Sequence, residues 1–264
     1  MKPVGLSMVL GANLIVFAIL IGSCAAQAQE KSKSSVGDGW TFNVAPYLWL
    51  AGMEGRSATL PPLPAAGVDV KFGDLLKNLN FGFMMVGEAH KGRWGGSFDF
   101  IYMKLTANGP PPAGLGLFAG TQLQARNLIF TLTGSYRAID EDRFQVDLLA
   151  GARIWMVKTK LTLKGGLAPT ISASRDETWV DPIIGIKGRV NLGSGFHLVA
   201  AGTVGGFGAA AKIDWGVFGG VGYRFKKWAT AFVGYRHLAV DYRNGGFVYD
   251  VNMSGPVLGI VFRF

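Results

Sequence analysis

The chain has 264 residues, of which 49% are hydrophobic and only 16% charged, with 39 glycines and a net charge of +9. An average soluble domain carries about 25% charged residues, so this composition points away from an ordinary soluble domain, and the 12% aromatic content excludes low complexity. The basic residues form no run longer than Lys226-Lys227, unlike the clustered footprint of a nucleic-acid binder.

The N-terminus reads as a targeting segment. Lys2 supplies a positive end, Val9 to Ile21 is apolar apart from Gly11, Ala12 and Asn13, and Ala26-Gln27-Ala28 is a small-x-small cleavage site. This predicts a signal peptide over 1–28, a short periplasmic segment over 29–39 and a barrel over 40–264. A rival reading takes Ile21-Gly22-Ser23-Cys24 as a lipoprotein box with Cys24 lipidated, although Gly22 fits that box poorly. The apolar run is shorter than the ~20 residues of a spanning helix. Cys24 is the only cysteine, so no internal disulfide can form.

Beyond residue 30 the pattern is period-two alternation over segments of about ten residues, the signature of transmembrane barrel strands. Leu128, Phe130, Leu132 and Tyr136 share one face, and Thr131, Thr133, Ser135 and Arg137 the other. Val146, Leu148, Ala150, Ala152, Ile154 and Met156 oppose Gln145, Asp147, Gly151 and Arg153. Val180, Pro182, Ile184, Ile186 and Val190 oppose Asp181, Lys187, Arg189 and Asn191.

Short polar connections at Lys91-Gly92-Arg93, Asp140-Glu141-Asp142, Gly193-Ser194-Gly195 and Lys226-Lys227 alternate with longer ones. The longer ones run from Met53 to Asn80, Ala107 to Gly120, Lys164 to Thr178, Gly208 to Ile213, and Arg243 to Gly246. Bacterial barrels show that asymmetry, with tight periplasmic turns and longer outer loops. The reading is all-β: one closed antiparallel transmembrane barrel of about ten strands. The strands fall near 40–52, 81–90, 94–105, 121–138, 143–157, 179–192, 196–207, 214–225, 228–242 and 247–264. Eight or twelve strands follow if the first or fourth long connection is read differently. In the first one, Asp74 is expected to cap a short apolar helix through Leu75, Leu76 and Leu79 that packs on the barrel mouth.

Leu258, Ile260, Phe262 and the terminal Phe264 alternate with Val257, Gly259, Val261 and Arg263. Such an ending resembles the signal read by the bacterial barrel-assembly machinery, the expected partner in biogenesis. Outer-membrane lipids are the expected surroundings. Trp40, Trp94, Tyr136, Trp179, Tyr223 and Trp228 sit near strand ends, where aromatic girdles belong.

Pro46-Tyr47-Leu48-Trp49-Leu50-Ala51-Gly52-Met53-Glu54-Gly55 resembles the opening strand of a little-characterised family of proteobacterial outer-membrane barrels. Phe72-Gly73-Asp74-Leu75-Leu76, Phe81-Gly82-Phe83-Met84, Glu88 to Gly95 and Asp99 to Leu105 extend the likeness, which is sharp over 40–105. The resemblance implies a fold and a location, and carries no activity.

Motifs for chemistry are sparse. His90, His197 and His237 lie on different strands without ligand spacing, so neither a metal nor a cofactor is expected. The glycine strings Gly205-Gly206-Phe207-Gly208 and Gly219-Gly220-Val221-Gly222 lack the helix and the Lys-Ser/Thr of a phosphate loop. A hydrolase would need a nucleophile, a histidine and an orienting group together. His237 with Asp241 is the conceivable dyad, and no serine has an evident place beside it. The lumen says more. Glu88, Asp99, Arg137, Asp147, Arg189 and Arg224 project inward at similar heights, a belt in which the acids are expected to pair with the arginines. Facing lipid, Arg or Lys at mid-depth would cost roughly 2–4 kcal/mol. The functional expectation is a non-enzymatic structural or interaction barrel, conducting small solutes weakly at most. The alternatives are a narrow solute-selective porin or transporter, and an outer-leaflet lipid or peptide hydrolase.

Overall fold

The computed structural model describes residues 39–58, 66–110 and 117–264. The signal segment, its cleavage site, the Cys24 box, the periplasmic segment up to residue 38 and Pro61-Pro62-Leu63-Pro64 lie outside the described residues. In chain order the elements are β1 (Thr41–Trp49), β2 (Gly52–Ala58), β3 (Ala66–Val70), α1 (Phe72–Asn78), β4 (Leu79–Lys91) and β5 (Trp94–Gly109). Then follow β6 (Phe118–Asp140), β7 (Phe144–Gly165), β8 (Ile171–Gly193), β9 (Phe196–Gly205), β10 (Ile213–Lys226), β11 (Ala229–Asn244) and β12 (Phe247–Arg263).

Ten of these strands close a barrel. The wall runs from β1 to β4, then consecutively to β12, which returns to β1. Closure rests on two antiparallel ladders: Thr41 to Pro46 pair with β4, and Asn43 to Trp49 pair with β12. The alternation follows from that closure, because successive side chains point to opposite faces. Asn127, Ile129, Thr131, Thr133 and Ser135 are buried in the lumen, while Leu132 and Tyr136 are exposed outward.

The end of the barrel away from the short turns differs from the expectation. β6, β7 and β8 continue as tall strands, so the connections read at Ala107–Gly120 and Lys164–Thr178 shrink to 110–117 and 166–170. Above Met156 the outward face turns polar, with Lys158, Lys160 and Thr162, while Val157, Leu161 and Leu163 hold the inward one, so the apolar side of the alternation switches although the ladder persists. The β11–β12 connection is only Gly245-Gly246, with φ of 52° and 82°. Two consecutive positive φ angles suit a tight hairpin turn. The strict alternation of short and long connections therefore ends there, and much of the extra length at this end is strand.

The first long connection holds a hairpin. β2 continues above β1 along β12 (Met53 opposite Met253), and β3 pairs with the other side of β2. In α1, Lys71 rather than Asp74 occupies the cap position. Asp74 lies inside the first turn and pairs with Lys77 at 3.1 Å. The helix lies against β2 and β5 with Phe72 and Leu75 half-buried, but the packing is shallow: none of its residues is fully buried and Leu76 is 55% exposed.

Candidate functional site: the lumen

The lower lumen, toward the short turns, holds a cavity of about 420 Å³. Glu88, Asp99, Arg137, Asp147, Arg189 and Arg224 all line it. Their pairing differs from a simple belt. Arg137 Nε lies 2.9 Å from Asp147 Oδ1 on the neighbouring strand. Glu88 pairs with Lys187 of β8, and Asp99 with Arg236 of β11 at 2.7 Å. The Tyr47 hydroxyl donates to Asp99 (2.6 Å) and accepts from Arg236 (3.0 Å), whose guanidinium lies 4.9 Å from the Trp49 ring. The pairings of Lys187 and Arg236 escaped the sequence reading because their partners sit on strands that are not neighbours. Curvature of the wall brings β8 to β4 and β11 to β5, and no sequence period encodes that approach.

Arg189 and Arg224 have no ion-pair partner among the described residues, and neither does Arg263. These three, with Lys227, line the cavity toward the short-turn end. That end is a cationic vestibule.

Above the cavity the lumen is filled. Arg153 and Asp214 form an ion pair between β7 and β10, 3% and 0% exposed at the side chain. Arg153 also donates to Thr131 (3.0 Å) and Thr203 (3.2 Å), and Trp155 Nε1 donates to Asp214 at 2.7 Å. Asp181 accepts from Trp179 Nε1 (3.0 Å) and from the Ala211 backbone N–H (2.8 Å). The second bond ties down the β9–β10 connection, where Gly206, Phe207 and Gly208 take φ of 80°, 48° and 76°.

Higher still, the Trp155 ring stacks on Trp179 (5.6 Å, 7°), and Trp179 stacks on Tyr242 (4.0 Å, 2°). Phe247 and Tyr249 meet Trp179 edge-on. Trp179 therefore belongs to the interior and not to the girdle expected of it. It shares parity with the inward Asp181, a signal already present in the sequence. The other five girdle residues, Trp40, Trp94, Tyr136, Tyr223 and Trp228, are exposed toward the short-turn end.

His237 lies on the outward side of β11, its ring 4.6 Å from Trp215. Ser254 of β12 does stand beside it, with Oγ 2.6 Å from Nδ1. The sequence hid this because register between strands is not written in either. No orienting group meets it among the described residues: Nε2 is buried without a partner there, and Asp241 is held by Arg243 at 2.8 Å.

On β12, Leu258 and Ile260 are exposed outward and Phe262 stacks on Trp228 at 6.1 Å. The Phe264 backbone N–H donates to the Phe42 carbonyl at 2.9 Å, stitching the C-terminus to β1.

The outward apolar surface, the closed wall and the aromatic rim form one geometry. In fold the chain is similar to the outer-membrane protease OmpT of Escherichia coli, with a TM-score of 0.50 and 11% identity over 89% of this chain and 99% of that one. The chain is a bacterial outer-membrane β-barrel. Looser likenesses are the attachment invasion locus protein Ail of Yersinia pestis (TM-score 0.36, 13% identity, 86% and 100% covered) and the Neisserial surface protein A (TM-score 0.36, 14%, 86% and 99%). At such identities the likeness concerns fold alone. No family model matches the chain, and no curated relative does.

Proposed function

We propose that the protein is a non-enzymatic, sealed outer-membrane barrel, a structural or interaction component and not an open porin. The observation that carries this reading is the Trp155–Trp179–Tyr242 stack lying over the Arg153–Asp214 pair. Barrels of about eight strands are filled by side chains and those of about sixteen hold water channels, so ten strands sit near the filled end. Planar-bilayer recording of the purified full chain tests it. The expected trace is flat; steady single-channel steps would move the reading to a narrow transporter.

That second reading has one observation in its favour, the vestibule of Arg189, Arg224 and Arg263 without carboxylate partners. It predicts selectivity for anions, reversed or abolished by Arg189→Gln with Arg224→Gln. The hydrolase reading rests on the Ser254–His237 contact, and a triad needs its third group on the other ring nitrogen. Among the described residues none occupies that position. The protease named among the structural likenesses supports only the fold at 11% identity.

A further inference from the structure

Three cations stand in one row on the outside of the tall wall. Lys104 of β5 is directly opposite Arg126 of β6, and Arg126 is directly opposite Lys158 of β7. All three point outward, since Met103 packs on the interior cluster while Asn127 and Val157 are buried within the lumen. Lys160 stands two residues above Lys158 on the same face and is exposed. Among the described residues, the carboxylate paired with the group is Asp176 of β8, 3.4 Å from Lys158. Lys104, Arg126 and Lys160 have no ion-pair partner among the described residues. Like charges directly opposite on paired strands are destabilising, and Asp176 offsets only one of the row's three positive charges.

Its height is informative. The next outward row below is Tyr102, Leu128 and Met156, and below that come Phe100, Phe130 and Ile154. Along β5, Trp94 marks the lower aromatic rim, ten positions before Lys104. Ten residues span about 33 Å of strand, or roughly 25 Å of height at a tilt near 40°, which matches the apolar band of such barrels. The cations therefore sit at the upper edge of the hydrocarbon, at headgroup level. The long-connection end faces outward in bacterial barrels.

We infer that Lys104, Arg126 and Lys158, supported by Lys160, form a binding site for the phosphate groups of a phosphorylated glycolipid in the outer leaflet. A lipid phosphate satisfies both observations: it neutralises the row, and its acyl chains lie along the Tyr102, Leu128 and Met156 surface. A guanidinium binds phosphate in a two-toothed geometry and ammonium groups add point charges.

The test uses the full chain in zwitterionic detergent with three probes: lipid A bearing two phosphates, its dephosphorylated form, and inorganic phosphate. Thermal unfolding and native mass spectrometry read binding. Bisphosphorylated lipid A is expected to bind and raise the melting temperature, while the other two probes leave it unchanged. K104Q/R126Q/K158Q should weaken the apparent affinity on the order of a hundredfold. Without lipid it should melt at or above the parent, because the repulsion is gone. The charge-preserving K104R/K158R should keep the response. Equal affinity in the triple variant, loss of binding in K104R/K158R, or an equal shift with dephosphorylated lipid would each overturn the site. Failure of the triple variant to fold would make the row structural, and a shift with inorganic phosphate alone would make it a free-anion site; either result also overturns the proposal.

Discussion

Trp179 of β8 and Tyr242 of β11 lie face to face, 4.0 Å apart and 2° from parallel, although two strands stand between them in the wall. The stack is made where β9 and β10 have already ended, at Gly205 and Ile213. It bridges the notch those short strands leave. Trp179→Ala should therefore lower unfolding free energy by about 3–5 kcal/mol, as for other buried large aromatics. Urea titration of the barrel in phospholipid vesicles measures this. The same variant should begin to conduct in planar bilayers where the parent does not; a silent, fully stable variant would show that the stack seals nothing.

The Arg153–Asp214 pair joins β7 to β10 across the interior. Arg153→Ala leaves Asp214 buried and uncompensated, an arrangement that costs about 3–5 kcal/mol. Arg153→Met combined with Asp214→Leu should recover much of the loss. A double-mutant cycle in the same urea assay reads the coupling, and purely additive single effects would refute it.

Arg137 and Asp147 provide the contrast. Their pair borders the 420 Å³ cavity, which has room for roughly a dozen waters at ~30 Å³ each. Arg137→Ala should cost about 1 kcal/mol or less, well below Arg153→Ala. Equal losses at the two sites would mean that the lower lumen is as dry as the upper.

Much of this geometry was legible at Thr131 and Leu132, or at Arg153 and Ile154, where parity alone separates lumen from lipid. The even strand count and closure on Phe264 were legible for the same reason, because each turn reverses the chain. What stayed hidden is contact across the lumen. Arg153 read as inward, but its partner Asp214 is 61 residues away on a strand brought near only by curvature. Lys187 with Glu88 and Arg236 with Asp99 escaped in the same way. The tall part of β7 escaped because its outward face turns polar at Lys158, Lys160 and Thr162, so the apolar side of the alternation switches above Met156.

The Ser254–His237 contact makes a sharp test of enzymatic chemistry. With Nε2 lacking a partner, esterase and protease turnover by the parent is expected to equal that of Ser254→Ala and His237→Ala. Activity in the parent that both substitutions abolish would establish a hydrolase and displace the sealed-barrel reading.

The terminal residue is expected to act during assembly. Deleting Phe264 removes the backbone bonds to Phe42 and an outward ring. Outer-membrane yield should fall, with unfolded chain accumulating in the periplasm. Cell fractionation with heat-modifiability gels reads both, and an undiminished folded band would refute the role of this residue.

The tall wall stops abruptly on one side. β8 finds β9 only from Ile183 onward, so among the described residues no strand pairs with that edge over 171–181. A bare row of backbone donors and acceptors is a template on which a second chain can add its own strand. Arg175, Asp176 and Glu177 stand in the middle of this stretch, with Arg175 turned onto Glu177 at 2.5 Å and Asp176 facing outward to Lys158. Charges of both signs at an exposed edge discourage edge-to-edge growth. The barrel can thus raise its wall clear of the membrane on this side without offering a seam for sheet-like aggregation between crowded neighbours.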